Sequence, residues 1–230
     1  MLFRSSMMGS ASERPSAGDI DVSSPLEAGL PMPRGADPES RPLGCDVEGT
    51  IVHRGPVFSV RRIDYVDAGG AEVRKEHIVH PGAVTVVPEE PDGSILMVKV
   101  GRIAVRRFLL EFCAGKLEPG EAPEAAARRE LEEEVGRTSG NCRPIGRYLT
   151  SPGCSDEWMH ALHASGLTGT APRLEPGEEI EVVRLQPEEI DEAIRSGRIV
   201  DGKTITAWHL FRQASSHPGR GLASLPGPPA

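Results

Sequence analysis

The sequence predicts an α/β (α+β) domain, a mixed β-sheet sandwiched between α-helices, and three observations carry that prediction. Strand-like runs fill residues 50–112, with Gly and Pro at the breaks between them. A run of strong helix formers follows at Pro123–Val135, and further strand-like runs lead into two more helical patterns. Both ends of the chain shift to Pro, Gly, Ser, Met and Arg without apolar periodicity. Such segments bury too little apolar surface to offset the entropy of ordering them. The expected organisation is therefore a disordered extension over 1–46, one folded domain over 47–213, and a disordered tail over 214–230.

Taken in order, residues 50–62 read as a strand broken by Gly55-Pro56. Residues 61–78 alternate apolar and polar side chains around Asp67-Ala68-Gly69-Gly70, which predicts a hairpin. Residues 83–100 hold two β-rich runs on either side of Pro91-Asp92-Gly93-Ser94, a turn sequence. Residues 108–112 form a short apolar piece leading into Ala114-Gly115. Pro123 suits a first helical turn and Gly136 a C-terminal stop, so the helix between them is well bounded. On its wheel Ala127, Leu131 and Val135 share one side with Glu124, a narrow apolar stripe. Strands are then expected at 147–150, 158–162 and 180–185, and helices at 187–196 and from about 201 or 203 to 213.

The formal charge of −8, with no cluster of Lys and Arg, argues against a nucleic-acid surface, which needs concentrated positive charge. It suits an enzyme for a small molecule with an acidic, cation-binding centre. The four cysteines (Cys45, Cys113, Cys142, Cys154) form no CxxC pair, so the expectation is free thiols in a reducing cytoplasm. No run approaches a membrane span, and the N-terminus lacks the apolar core of a signal peptide.

The chemistry concentrates in Gly115–Gly136, GKLEPGEAPEAAARRELEEEVG. Glu130 and Glu134 stand one turn apart, roughly 40° around the helix axis, with Glu133 beside them. Three carboxylates so placed repel one another unless a cation sits among them, and hard oxygen donors select Mg²⁺ or Mn²⁺. Arg129 is spaced to pair with Glu133 or to reach back to Glu121 and brace the loop. Gly115 and Gly120 are expected to let that loop turn tightly, aiming a backbone carbonyl near Ala114 at the metal. A bare EEE run is more often only a solvated helix face. Here Gly115, five residues, Glu121, seven residues, Arg129-Glu130-Leu131, one residue, Glu133-Glu134, one residue and Gly136 reproduce the signature of the Nudix hydrolases at every charged and glycine position. Arg137, where that family usually has an aliphatic residue, is the one departure.

The flanks resemble the ADP-ribose pyrophosphatase branch of that family. The likeness rests on HPGAVTVV (80–87), MVKVGR (97–102) and LLEFCAGKLEPGE (109–121) before or into the box, and on TSPGCSDE (150–157), PGEEIEVVRL (176–185) and DGKTITA (201–207) after it. It covers residues 50–212. Two positions differ: Val100-Gly101-Arg102 stands where the branch often has Gln-Tyr-Arg, and Cys113-Ala114-Gly115 where it often has Pro-Ala-Gly. The first removes an aromatic that would stack on adenine or ribose.

The resemblance implies the Nudix fold and Mg²⁺-dependent hydrolysis of the ADP-ribose diphosphate to AMP and ribose 5-phosphate. It implies that Glu130 and Glu134 bind the metal with help from Glu133 and the Ala114 carbonyl, and that Arg102 and Glu111 serve the substrate. It places the general base in the loop 171–179, with Glu178 preferred over Glu175 and Glu179. It also implies a homodimer that exchanges strands from residues 50–78. The rival readings are a Nudix hydrolase of another nucleoside diphosphate sugar and a non-catalytic ADP-ribose sensor. Retention of Glu130, Glu133 and Glu134 favours an enzyme. Other residues read as structural: His160 and His163 fall on opposite faces of a strand, Cys154 lacks a basic partner, Asp156 and Glu157 suit a turn, and Trp158 and Trp208 suit the core.

Overall fold

The computed structural model describes residues 49–55, 58–67, 69–174 and 179–216. Glu175 and Glu178, the extension over 1–46 and the tail from 217 onward lie outside the described residues.

Strands β1 (Thr50–Arg54), β2 (Ser59–Val66) and β3 (Glu72–Val79) form an antiparallel sheet in chain order. The β2–β3 turn is the expected one, with Gly70 at φ +84° and Asp67 accepting backbone hydrogen bonds from Gly69 and Ala71. Strand β4 (Ala83–Pro88) is buried at every position and sits inside a four-stranded sheet of order β7-β4-β9-β8. Its partners are β7 (Cys113–Lys116), antiparallel, and β9 (Trp158–Gly169), parallel, and β8 (Arg137–Leu149) closes the sheet against β9. Strand β5 (Ile95–Arg102) lies in a third sheet between β10 (Ile180–Leu185) and β6 (Arg107–Glu111). The turn at 91–94 therefore hands the chain from one sheet to another.

Helices cover both faces. Helix α1 (Pro123–Val135) packs Ala126, Ala127, Leu131 and Val135 against Val84, Val86, Leu96, Val98 and Leu162. Helices α2 (Pro187–Arg195) and α3 (Gly202–Ser216) pack Ile190, Ala193, Ala207, Trp208 and Phe211 against Val87, Ile95, Met97, Ile145 and Ala161. Residues alternating along β4 and β5 thus feed two cores, each fully buried aliphatic side chain stabilising the fold by about 1.5–3 kcal/mol. This is the mixed sheet sandwiched between helices that the sequence predicts. Among the described residues no helix is long and apolar enough to cross a membrane.

Three local expectations change. β8 begins at Arg137, ten residues before the predicted strand at 147, because pairing with β9 from Arg137↔Gly169 onward holds a polar, Gly- and Pro-containing segment extended. Pro144 is accommodated at a register shift in that pairing. The strand expected at 158–162 runs on to Gly169 as β9, whose far half pairs with β8. Helix α3 runs on to Ser216.

Candidate active site

Helix α1 is aimed by its apolar stripe. With Ala127, Leu131 and Val135 in the core, Glu130 and Glu134 turn towards β7 and are themselves buried. Pro123 opens the helix and Gly136, at φ +64°, closes it by donating its N–H to the Leu131 and Glu132 carbonyls. Gly115 lies within β7 rather than in a turn, and its small size has another cause. A Cβ there would stand 1.7 Å from Glu130 Oε1. The Glu130 carboxylate therefore lies directly against the β7 backbone. The Ala114 N–H donates to Glu134 Oε2 at 3.3 Å, which brings the second carboxylate to the same strand. Gly120 is the residue that turns the loop, at φ +77°.

Arg129 holds this acidic group together. Its guanidinium donates to both oxygens of Glu121 at 3.0 Å and to the Lys116 carbonyl at 3.1 Å. It also donates to Glu130 at 2.7 Å and to Glu133 at 3.1 Å. All five N–H donors of the side chain are thereby used. The hydrogen bonds to Glu121, then those to Glu130 and Glu133, hold Arg129 even more firmly protonated than usual. Both partners foreseen for Arg129, Glu121 and Glu133, are engaged at once.

The donor chemistry fits a hard divalent cation. Two buried glutamates meet a strand edge where no side chain intervenes, and Glu133 stands one residue along. Burial first, then the charges of Glu134 and Glu130, push the Cys113 thiol well above its ordinary pKa. Among the described residues no three His, Cys, Asp or Glu side chains form a ready-made cage, and Arg129 bonds Glu130 and Glu133 from one side.

A second charged group lies at the end of β6, two residues before β7. Glu111 is 1% exposed, and Arg102 grips it with two bonds, from Nε at 2.9 Å and Nη2 at 2.6 Å. Lys203 donates to the same carboxylate and, at 3.0 Å, to Asp201. The bond to Glu111 raises the Arg102 pKa against the opposing cost of burial, and the negative charges of Glu134 and Asp201 add to the rise. Next to Lys203 opens a cavity of about 390 Å³, lined by Tyr148, Thr150, Glu157, Asp201, Lys203 and Thr206 among others. Glu157 accepts a hydrogen bond from the Thr150 hydroxyl at 2.5 Å and stands 3.6 Å from His80. Lys203 and Asp201 escaped assignment in the sequence because they sit some 90 residues from Glu111. The DGKTITA stretch was visible there only as part of a likeness.

The remaining residues sort plainly. Glu178 and Glu175 lie outside the described residues, and Glu179 is exposed. The described start of their loop is tied to α1, since the Arg173 N–H donates to the Glu133 carbonyl at 2.9 Å and its side chain to Glu132 at 3.0 Å. His163 bonds Glu89 at 2.7 Å and packs on Phe211, whereas the His160 position pairs with Val84, which belongs to the α1-side core. Asp156 accepts from the His80 N–H at 2.7 Å, a partner far away in sequence rather than a local turn amide. Cys154 is exposed beside Ser151, Trp208 is buried, and Trp158 carries Arg147 over its ring at 4.5 Å.

Comparison with known proteins gives concordant results. The family model described as NUDIX domain matches residues 79–207. The chain is 36% identical over 168 residues to an ADP-ribose pyrophosphatase of Bacillus subtilis (strain 168), covering 70% of this chain and 91% of that one. It is 36% identical over 172 residues to a methanol dehydrogenase activator of Bacillus methanolicus, covering 72% and 93%. A solved structure described as an ADP compounds hydrolase superposes with a TM-score of 0.67 at 23% identity over 75% of this chain and 94% of that one, a likeness of fold.

Proposed function

The chain belongs to the Nudix family, and on that premise we propose that it is a Mg²⁺-dependent pyrophosphohydrolase that cleaves ADP-ribose to AMP and ribose 5-phosphate. The observation that carries the reading is the convergence of Glu130 and Glu134 on the β7 backbone at Gly115, beside Arg102. Glu130, Glu134 and the Ala114 carbonyl would hold the cation, with Glu133 assisting, and Mn²⁺ suits the same oxygens. When bound, the cation neutralises the diphosphate and polarises the attacking water.

The chain's own residues do the rest. Arg129 keeps the loop 116–121 and the glutamates in register, so that their oxygens are preorganised. Arg102 binds the diphosphate, with Glu111 fixing its orientation. Glu178 is assigned, from the resemblance, as the base that takes the proton from water; among the described residues before it, Arg173 is anchored on α1. The hydroxyl- and carboxylate-lined cavity beside Lys203 suits the sugar half of the substrate. A homodimer formed through β1–β3 and a cytoplasmic setting complete the reading, the latter in keeping with free thiols at Cys113, Cys142 and Cys154.

A second reading, another nucleoside diphosphate sugar as substrate, is favoured by Gly101, which lacks the aromatic side chain that the ADP-ribose branch often carries at that position. Purified protein with Mg²⁺ is to be assayed on ADP-ribose, GDP-mannose, UDP-glucose, NADH and 8-oxo-dGTP, with Glu134→Gln as control. Preferential release of AMP from ADP-ribose, lost in the control, is the expected result. Preference for another compound retires ADP-ribose as substrate while keeping the chemistry. Binding of ADP-ribose without cleavage makes the domain a sensor.

A further inference from the structure

The link between Arg102 and helix α3 carries an inference about substrate positioning. Arg102, Glu111, Lys203 and Asp201 form a chain of alternating charge, two cations and two anions, in which Glu111 is the most deeply buried member. A buried carboxylate needs its charge compensated on every side that water cannot reach. Arg102 alone could supply that compensation, but only by committing itself inward.

Lys203 changes the balance. Its ammonium bonds the same Glu111 oxygen that the Arg102 Nη2 group bonds, so the carboxylate does not depend on the guanidinium alone. Arg102 gives one N–H from Nε and one from Nη2 to Glu111, and its side chain remains 43% exposed. A guanidinium has five N–H donors, so about three are left to face an incoming anion.

Lys203 is in turn held from two sides. Asp201 accepts from its ammonium, and the same Asp201 oxygen caps α3 by accepting from the Thr204 N–H at 2.9 Å and hydroxyl at 2.6 Å. The Thr204 hydroxyl accepts the Phe112 N–H at 3.0 Å, which ties the first turn of α3 to the residue after Glu111. From the other side the Tyr148 hydroxyl donates to the Lys203 carbonyl at 2.9 Å. The first turn of α3 thus grips the end of β6 by both side chain and backbone.

We propose that Lys203 is a positioning residue: held by Asp201, it shares the buried Glu111 carboxylate with Arg102 and so leaves the outer guanidinium donors of Arg102 free for the substrate's diphosphate. The inference rests on the reading of Arg102 as the diphosphate ligand given above. Without the ammonium, one guanidinium faces two carboxylates, Glu111 and Asp201, and is drawn inward.

The test is a double-mutant cycle on ligand binding, read by calorimetry in EDTA so that turnover plays no part. The probe is whichever of ADP-ribose and GDP-mannose the wild type binds more tightly. Lys203→Met is expected to weaken binding about ten-fold and Lys203→Arg by no more than about three-fold. In an Arg102→Ala background, Lys203→Met is expected to change affinity by less than about two-fold, because its effect passes through Arg102. With Mg²⁺, kcat at saturation should fall less than the affinity does. Unchanged affinity in Lys203→Met at native Tm would mean a purely structural lysine and overturn the inference. A full ten-fold loss persisting in the Arg102→Ala background would also overturn it, since Lys203 would then touch the ligand itself. Should Lys203→Met fail to fold, Asp201→Asn replaces it in the cycle; a smaller loss of affinity that vanishes with Arg102→Ala is expected, and no loss at all refutes the idea. Wild type that cleaves GDP-mannose in preference sinks only the substrate assignment, whereas wild type that binds neither compound overturns both.

Discussion

At the scale of single residues, the sequence exposed the acidic group but misjudged the reason for one glycine. Spacing along α1 was enough to place Glu130, Glu133 and Glu134 together and to give Arg129 its partner Glu133, because i and i+4 neighbours follow from helix geometry alone. The role of Gly115 follows from a contact across elements, which spacing does not carry. Its missing Cβ makes room for the Glu130 carboxylate. Gly115→Ala is therefore expected to displace Glu130 by more than an ångström and to lower kcat by about two orders of magnitude. The overpacking itself should cost only about 1–3 kcal/mol, so the variant still folds. Steady-state kinetics beside a thermal melt decide the matter: a folded Gly115→Ala enzyme with near wild-type kcat would show that Glu130 is free to retreat without loss. The Lys203–Glu111 bond was not legible for the same reason, its partners being brought together only by the fold.

At the scale of elements, legibility tracked local propensity. Helix α1 has matching start, interior and stop signals, and its observed bounds are the predicted ones. Strand β8 was legible only at its end, from Arg147; the stretch before it mixes Gly, Pro and polar residues, and its ladder with β9 keeps it extended. The turn between β4 and β5 was readable from Pro91-Asp92-Gly93-Ser94, but not its tie to β10. Asp92 accepts from the Ser94 N–H and hydroxyl and pairs with Arg184 at 2.8 Å. The Ser94 hydroxyl, the Ser94 N–H and then Arg184 lower its pKa to about 2. A carboxylate whose pKa is depressed on folding contributes stability above its unfolded value of about 3.9, and that contribution fades as pH falls towards the folded value. Asp92→Asn should accordingly lower Tm slightly at neutral pH, with the gap to wild type narrowing below about pH 4. Melts at a series of pH values check this, and a gap of constant size would show that the charge of Asp92 contributes nothing.

At the scale of the whole molecule, the layered architecture was legible from the order of elements, whereas the parallel pairing of β4 with β9 was not, because it joins residues some 76 apart through no local signal. The β1–β3 sheet raises a different question, since none of its described residues is fully buried. Cross-strand register puts Ile51, Ile63, Tyr65 and Val73 on one face, an apolar row only half covered. A small sheet gains independent stability only by burying such a face. The proposed homodimer would supply that cover. Sedimentation equilibrium should accordingly give twice the chain mass. Tyr65→Glu combined with Val73→Glu should shift the protein to monomer, because two carboxylates directly opposite each other across the strands repel and cannot be buried in that face. Wild type sedimenting as a monomer at every concentration tested would rule the dimer out. So would a folded double variant that remains a dimer, since the contact would then lie elsewhere.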